Sequence, residues 1–137
     1  MTTTRDANKT VVRKFFSAMG RGDRQGLAAL LANDARWVIP QGAPAHAGTH
    51  VGRAQIIDVM VGSPQHMFVP GTTRMDIHAM IAEGEYVVVP ARVTATTPQG
   101  RHYDNEYVFI FRIAGGVVTE LHEHLDTRYV ASVLYGE

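Results

Sequence analysis

Between residues 101 and 127 the chain reads RHYDNEYVFIFRIAGGVVTELHEHLDT, two polar/apolar alternations on either side of a tight AGG turn. Successive side chains on a strand point to opposite faces, so residues two apart share a face. Over 102–113, Asp104, Glu106, Val108, Ile110 and Arg112 fall on one face, with Tyr103, Asn105, Tyr107, Phe109 and Phe111 opposite. Over 117–127, Glu120, His122, His124 and Asp126 share a face, and Thr119, Leu121, Glu123 and Leu125 share the other. Ala114-Gly115-Gly116 supplies the positive-φ positions a hairpin needs, so the two strands are expected to pair antiparallel. Large apolar groups on both faces of the first strand predict cover on both sides, by the chain's own helices on one and by a second subunit on the other.

Upstream, Val11, Val12, Phe15, Phe16 and Met19 recur at helical spacing, predicting a helix from residue 6 to about 19, with Thr4 or Asp6 near its N-cap and Gly20 and Gly22 ending it. Asp23 caps a second helix striped by Leu27, Leu30 and Leu31, and Asn33-Asp34 stops it. Residues 35–39 read as a short strand and 40–52 as a long loop with two prolines and two histidines, a composition found in lids and rims. A third helix spans 52–61 and a second loop 62–71. Strands follow at 72–82, 86–96, 102–113 and 117–127, joined by turns at 83–85, 98–100 and 114–116, with 128–134 a last half-turn of helix or a strand end. Helices first and an antiparallel meander after them predict an α+β fold: a curved antiparallel sheet with three N-terminal helices over its open mouth, enclosing a cone. Pockets sit in such concavities.

Composition narrows the partners. The chain has 137 residues, enough for one domain with its own core. Thirteen acidic residues balance 13 basic ones, so no net field favours nucleic acid or an acidic membrane. There is no cysteine, which excludes thiol nucleophiles, disulfides and cysteine metal sites. No apolar run is long enough to span a bilayer and the N-terminus lacks a secretory core, so a cytoplasmic protein is the expectation. GRGDRQG lacks the flanks of a phosphate-binding loop and no Gly-x-Ser-x-Gly elbow occurs.

The run FFSAMGRGDRQGLAALLANDARWVIPQG, the AGTHVGR lead into the third helix and the closing HYDNEYVFIFRIAGGVVTELHEHLDT together resemble the nuclear transport factor 2-like superfamily, in particular its SnoaL-like polyketide cyclases and ketosteroid isomerase relatives. The resemblance covers almost the whole chain and implies a cone-like α+β barrel, commonly dimeric through the outer sheet face. It also implies which roles are absent. Phe15 stands where ketosteroid isomerases carry a Tyr, Ile39 where they carry the general base, and Val108 near their oxyanion-hole Asp. Against limonene-epoxide hydrolases, Arg92 matches the Arg and Asp126 the second Asp, while Thr94 replaces the first. Asp126 is the counterpart of the acid/base Asp of SnoaL-like cyclases.

These residues set the candidate site. Asp126 is the expected acid/base group, tuned by desolvation and by a nearby cation; the plainer alternative is a strand-end Asp capping the next turn. Arg92, mid-strand in an apolar run, is expected to pair with Asp126, or else to point outward at a dimer face. His124 shares the Asp126 face and is expected to relay protons or bind a substrate oxygen, with His122 beside it. Glu106 and Val108 line the pocket if their face points in; if it points out, Tyr107 points inward instead. Trp37 and Phe15 supply pocket wall and core. His46 and His50 rim the mouth or are ordinary loop residues. His122-x-His124 has metal-binding spacing, with Asp126 or Glu106 to complete a set, but the second half of a cupin motif is missing. The expectation is a cofactor-free isomerase, cyclase or hydrolase acting on a small apolar carbonyl-bearing molecule. The alternatives are a non-catalytic ligand-binding or dimeric interaction module and, less favoured, a metal-dependent enzyme.

Overall fold

The computed structural model describes residues 3–137. Twelve elements follow one another: α1 (Thr4–Arg21), α2 (Arg24–Leu30), β1 (Leu31–Ile39), β2 (Gly48–Val51), α3 (Arg53–Gly62), α4 (Pro64–Met67), β3 (Arg74–Ile77), β4 (Ile81–Glu83), β5 (Tyr86–Thr96), β6 (His102–Ala114), β7 (Val117–Leu125) and α5 (Thr127–Tyr135). The strands form one curved, unclosed sheet in the order β2-β1-β7-β6-β5-β3, with β4 also on β5.

The helix boundaries follow from local chemistry. Thr3, one residue before the expected cap, accepts from the Asp6 backbone N–H at 3.1 Å and starts α1. Gly22, at φ 63°, ends it by donating to the carbonyls of Ala18 and Met19. Asp23 caps α2 as expected, accepting from the Gly26 N–H at 2.9 Å.

The sheet differs from the expected meander in three places. It is mixed, because β1 pairs parallel with β7, the rest of the chain forming the crossover. The expected strand over 72–82 is broken: three residues, His78–Met80, oppose two, Val89 and Pro90, so β3 and β4 are separate strands across a bulge. Pro90 lies at this break, where its missing N–H costs no ladder bond, and its carbonyl accepts from the His78 N–H at 2.9 Å. Finally, the loop over 40–52 ends in a short strand, β2, which pairs antiparallel with β1 and seats His50 against Trp37 with ring centroids 5.5 Å apart.

The inner face of the sheet is set by aromatic packing against α1. Phe15 meets Phe111 edge to face at 5.4 Å, and Phe16 meets Phe109 at 5.2 Å. Val87, Val89, Ala91, Phe111, Ile113, Val118 and Leu121 join Phe15, Val12 and Leu27 in the main core. A smaller cluster of Phe68, Val93, Ala95, Tyr103 and Val130 lies where α5 meets the sheet. Phe15, entirely buried, is expected to be the most costly single truncation in α1: Phe15→Ala should lower stability by about 3–5 kcal/mol, measured by urea unfolding, with Phe15→Leu well below that.

Candidate functional site

The period-two alternation that organises β6 and β7 places their two faces in different environments. Tyr103, Asn105, Phe109, Phe111 and Ile113 are buried, whereas Glu106, Val108 and Arg112 on the other face are exposed. The inner face therefore carries Tyr107 and, on β7, Glu123 and Leu125. The polar cluster read from the sequence lies outside.

Each of those residues has a partner on the outer face or at a strand end. Asp126 is exposed and caps α5, its carboxylate accepting from the Tyr129 N–H at 3.0 Å. Arg92 pairs with Asp104, not with Asp126, donating from Nε at 2.6 Å and from a second nitrogen. That pairing raises the guanidinium's pKa and lowers that of Asp104. Glu106 meets His78 at 3.2 Å. His122 meets Glu120 at 2.7 Å and stacks on His124. Val108 is 37% exposed and Phe15 is sealed in the core, so neither lines the cavity. Arg92, His124, His122, Glu106 and Val108 share one parity, and that parity points away from α1 because Phe109 and Phe111 take the other. Among the described residues no three His, Asp or Glu side chains come together as a metal site requires.

Trp37 is the expected site residue that the structure does place in the cavity. The cavity holds about 190 Å³ between the inner sheet face, the 40–47 loop and the α3–α4 junction. Its walls are almost wholly apolar, including Trp37, Ile39, Met60, Met75, Phe109 and Leu125. His46 stands at the rim with φ 57°, its Nε2 3.1 Å from the Ser63 hydroxyl, while His50 Nε2 lies 2.7 Å from the His46 carbonyl oxygen.

Glu123 is the one carboxyl group among the described lining residues. The residue is partly exposed and lines the cavity. Desolvation raises its pKa from the ordinary 4.5 to about 7, and the Trp37 indole works against that rise. The indole N–H is buried without a partner at hydrogen-bonding geometry, and its effect on Glu123 is to favour the ionised carboxylate. Tyr107, on the neighbouring strand, bonds Tyr103 through their hydroxyls at 2.7 Å. Burial raises the pKa of both phenols, keeping them protonated at neutral pH. A carboxyl poised near neutrality in an apolar hollow can take up or give back a proton at carbon. The sequence signal for Glu123 was slight: a single acid flanked two residues away on both sides by leucine.

Several solved structures share this architecture. An NTF2-like protein from Burkholderia xenovorans LB400 is 30% identical, with 96% of this chain and 98% of that one covered and a TM-score of 0.80. An NTF2-like protein of unknown function from Burkholderia pseudomallei K96243 is 27% identical, over 94% and 98% of the two chains, with a TM-score of 0.83. A putative SnoaL-like polyketide cyclase from Jannaschia sp. CCS1 shares the fold at 20% identity, over 100% and 97%, with a TM-score of 0.84. No curated protein matches the sequence. Residues 12–121 match the SnoaL-like domain, and the chain belongs to that family.

Proposed function

We propose that the protein is a cofactor-free acid/base enzyme that enolises a small apolar carbonyl compound, with Glu123 as the proton-transferring group. The observation that carries this reading is a lone carboxyl group in an apolar cavity, its pKa brought to about 7 by desolvation. Near that value a useful fraction is ionised and able to abstract a proton, and the protonated form is acidic enough to return it. The step needs no second reagent. The carboxylate takes the proton alpha to the carbonyl, the C–H pair becomes the C=C bond, and charge moves to the carbonyl oxygen. Reprotonation at another carbon gives an isomer; attack of the enolate carbon on a second carbonyl forms the C–C bond of a ring, and the alkoxide so formed takes the proton back from Glu123. The cavity is small beside the roughly 300–1,000 Å³ of drug-sized sites and close to a roughly 150 Å³ hollow that admits benzene. Its size therefore favours one or two rings over larger polycyclic ketones. The outer-face groups Arg92, His124 and Asp126 take no part in this reading.

The walls also support a second reading, a binding module that holds the same kind of ligand without turning it over, since apolar area alone supplies affinity. Separately, we propose a homodimer through the outer sheet face. Val108, Ile81 and Tyr86 are 37%, 59% and 47% exposed. Strand register places them with the partly buried Val88 and Ile110 on the outer face, among the Arg92–Asp104 and Arg112–Glu85 ion pairs. No described helix is long and apolar enough to cross a membrane.

Turnover is tested by following deuterium uptake from heavy water into one- and two-ring ketones by mass spectrometry. Wild type should catalyse exchange, Glu123→Gln should slow it by about 10²–10⁴-fold, and the outer-face His124→Ala should leave it unchanged. Binding without exchange in wild type would favour the binding module. The raised pKa also sets a stability trend. Glu123 binds its proton more tightly folded than unfolded, so ionising it opposes folding. Apo stability should fall as pH rises from about 4.5 to about 7, by at most about 3 kcal/mol. Thermal melts across that window should show the fall in wild type, flattened in Glu123→Gln. For the dimer, light scattering at micromolar concentration should give twice the chain mass, and Val108→Arg should shift it toward the monomer.

A further inference from the structure

Behind the cavity wall runs a short chain of hydrogen bonds whose direction can be worked out atom by atom. Asn105 is buried on β6. Its Nδ2 lies 3.2 Å from the backbone carbonyl oxygen of Asp126 and 3.0 Å from the Tyr103 hydroxyl. A carbonyl oxygen can only accept, so the Asn105 atom facing Asp126 is the amide nitrogen, and the amide orientation is settled. The same nitrogen gives its second hydrogen to the Tyr103 hydroxyl. Tyr103 is fully buried, and its hydroxyl, already accepting from Asn105, must place its own hydrogen elsewhere. Among the described residues its other partner is the Tyr107 hydroxyl at 2.7 Å. Tyr103 therefore donates to Tyr107. The reverse direction would leave Tyr103 accepting twice with its hydrogen stranded in an apolar cluster of Phe68, Val93 and Val130.

Tyr107 receives this bond and lines the cavity, and among the described residues its hydroxyl has no other hydrogen-bond partner, so its own O–H is free for a ligand. We infer that Tyr107 is a second catalytic residue, the hydrogen-bond donor to the ligand's carbonyl oxygen, with Tyr103 and Asn105 as its positioning residues. This rests on the reading of the cavity as a carbonyl site and specifies how the ligand sits in it. Tyr107 is opposite Leu125, and Glu123 is opposite Phe109. The two residues are thus diagonal neighbours on one face, with backbones about 7–8 Å apart. In this pose the ligand's carbonyl oxygen meets Tyr107 and its α-carbon meets Glu123, both of which line the cavity. As the C–H pair moves into the C=C bond and charge gathers on oxygen, the Tyr107 bond strengthens, and donation from Tyr103 makes Tyr107 the better donor. The proton ends on the Glu123 carboxylate and no other group changes oxidation or protonation state. Asp126 contributes only its backbone carbonyl, which holds the far end of the chain in place.

The test uses 1-indanone labelled with ¹³C at its carbonyl, bound to the full chain, with the C=O stretch read by difference infrared spectroscopy. In wild type the band should lie below its position in cyclohexane. Tyr107→Phe, which removes one oxygen, should return it to the cyclohexane position while affinity falls by less than about tenfold. Tyr103→Phe should move it part of the way, a change that a merely structural role would not produce. Deuterium exchange in Tyr107→Phe should drop by about 10²-fold in kcat with little change in KM. A wild-type band at the cyclohexane position, or equal bands in wild type and Tyr107→Phe with ketone bound, overturns the inference. If Glu123-dependent exchange persists at the same time, the acid/base reading stands without it. A shifted, Tyr107-dependent band with no exchange keeps the donor and removes the acid/base reading. Failure of the ketone to bind removes both.

Discussion

The packing of α1 onto the sheet decides everything else about this molecule. Phe15 and Phe16 reach Phe111 and Phe109, and once those two rings face the helix the parity of β6 is set along its whole length. Strand register then carries that choice to β5 and β7. Glu123 and Tyr107 are inside, and Glu106, His122 and His124 outside, because a strand cannot turn one side chain inward without turning its alternate neighbours with it. The chemistry of the cavity follows from a hydrophobic contact made elsewhere on the same strands.

Electrostatics then sort the charged groups by the company the fold provides. On the outer face, carboxylates meet guanidinium groups in water, Asp104 with Arg92 and Glu85 with Arg112, and Glu106 meets the His78 imidazole. Such exposed pairs add little to stability. Among the described residues no cation shifts the pKa of Glu123, and its polar neighbours include an indole and a phenol. The same functional group is therefore a solvated ion on one side of the sheet and a desolvated acid of raised pKa on the other.

The fold was legible because periodicity and turn residues agree over most of the chain. The helix stripe from Val11 to Met19, Asp23 as a cap and the Gly115-Gly116 turn each report a local preference that the tertiary structure keeps. What escaped the sequence were features set by distant partners: the parallel pairing of β1 with β7, the bulge opposite Pro90, and the short strand that returns from the loop to place His50 on Trp37. The polar cluster was expected on the inner face for a related reason. Both faces of β6 carry large apolar residues, so alternation alone does not say which is inside, and the concentration of His122, His124 and Asp126 drew attention to the face that the structure turns outward. The decisive contact, aromatic packing from α1, joins segments far apart in sequence. Asp126 illustrates the outcome: the carboxylate reads as a cap, as the simpler alternative had it, and its backbone carbonyl proves to hold Asn105.

The parallel pairing of β1 with β7 bears on how the cavity comes into being. Trp37 sits on β1, directly beside Leu121 of β7 and two residues in register from Glu123. The wall bearing the indole and the wall bearing the acid thus come from opposite ends of the chain, with every other strand threaded between them in sequence. A contact of such long sequence separation forms late and slowly, because a large loop must close before it is rewarded. As the polypeptide emerges during synthesis, α1 and the central strands can collapse early, but the apolar hollow stays one-sided until β7 arrives. Desolvation of Glu123 therefore awaits the closure of the longest loop between paired strands of the sheet.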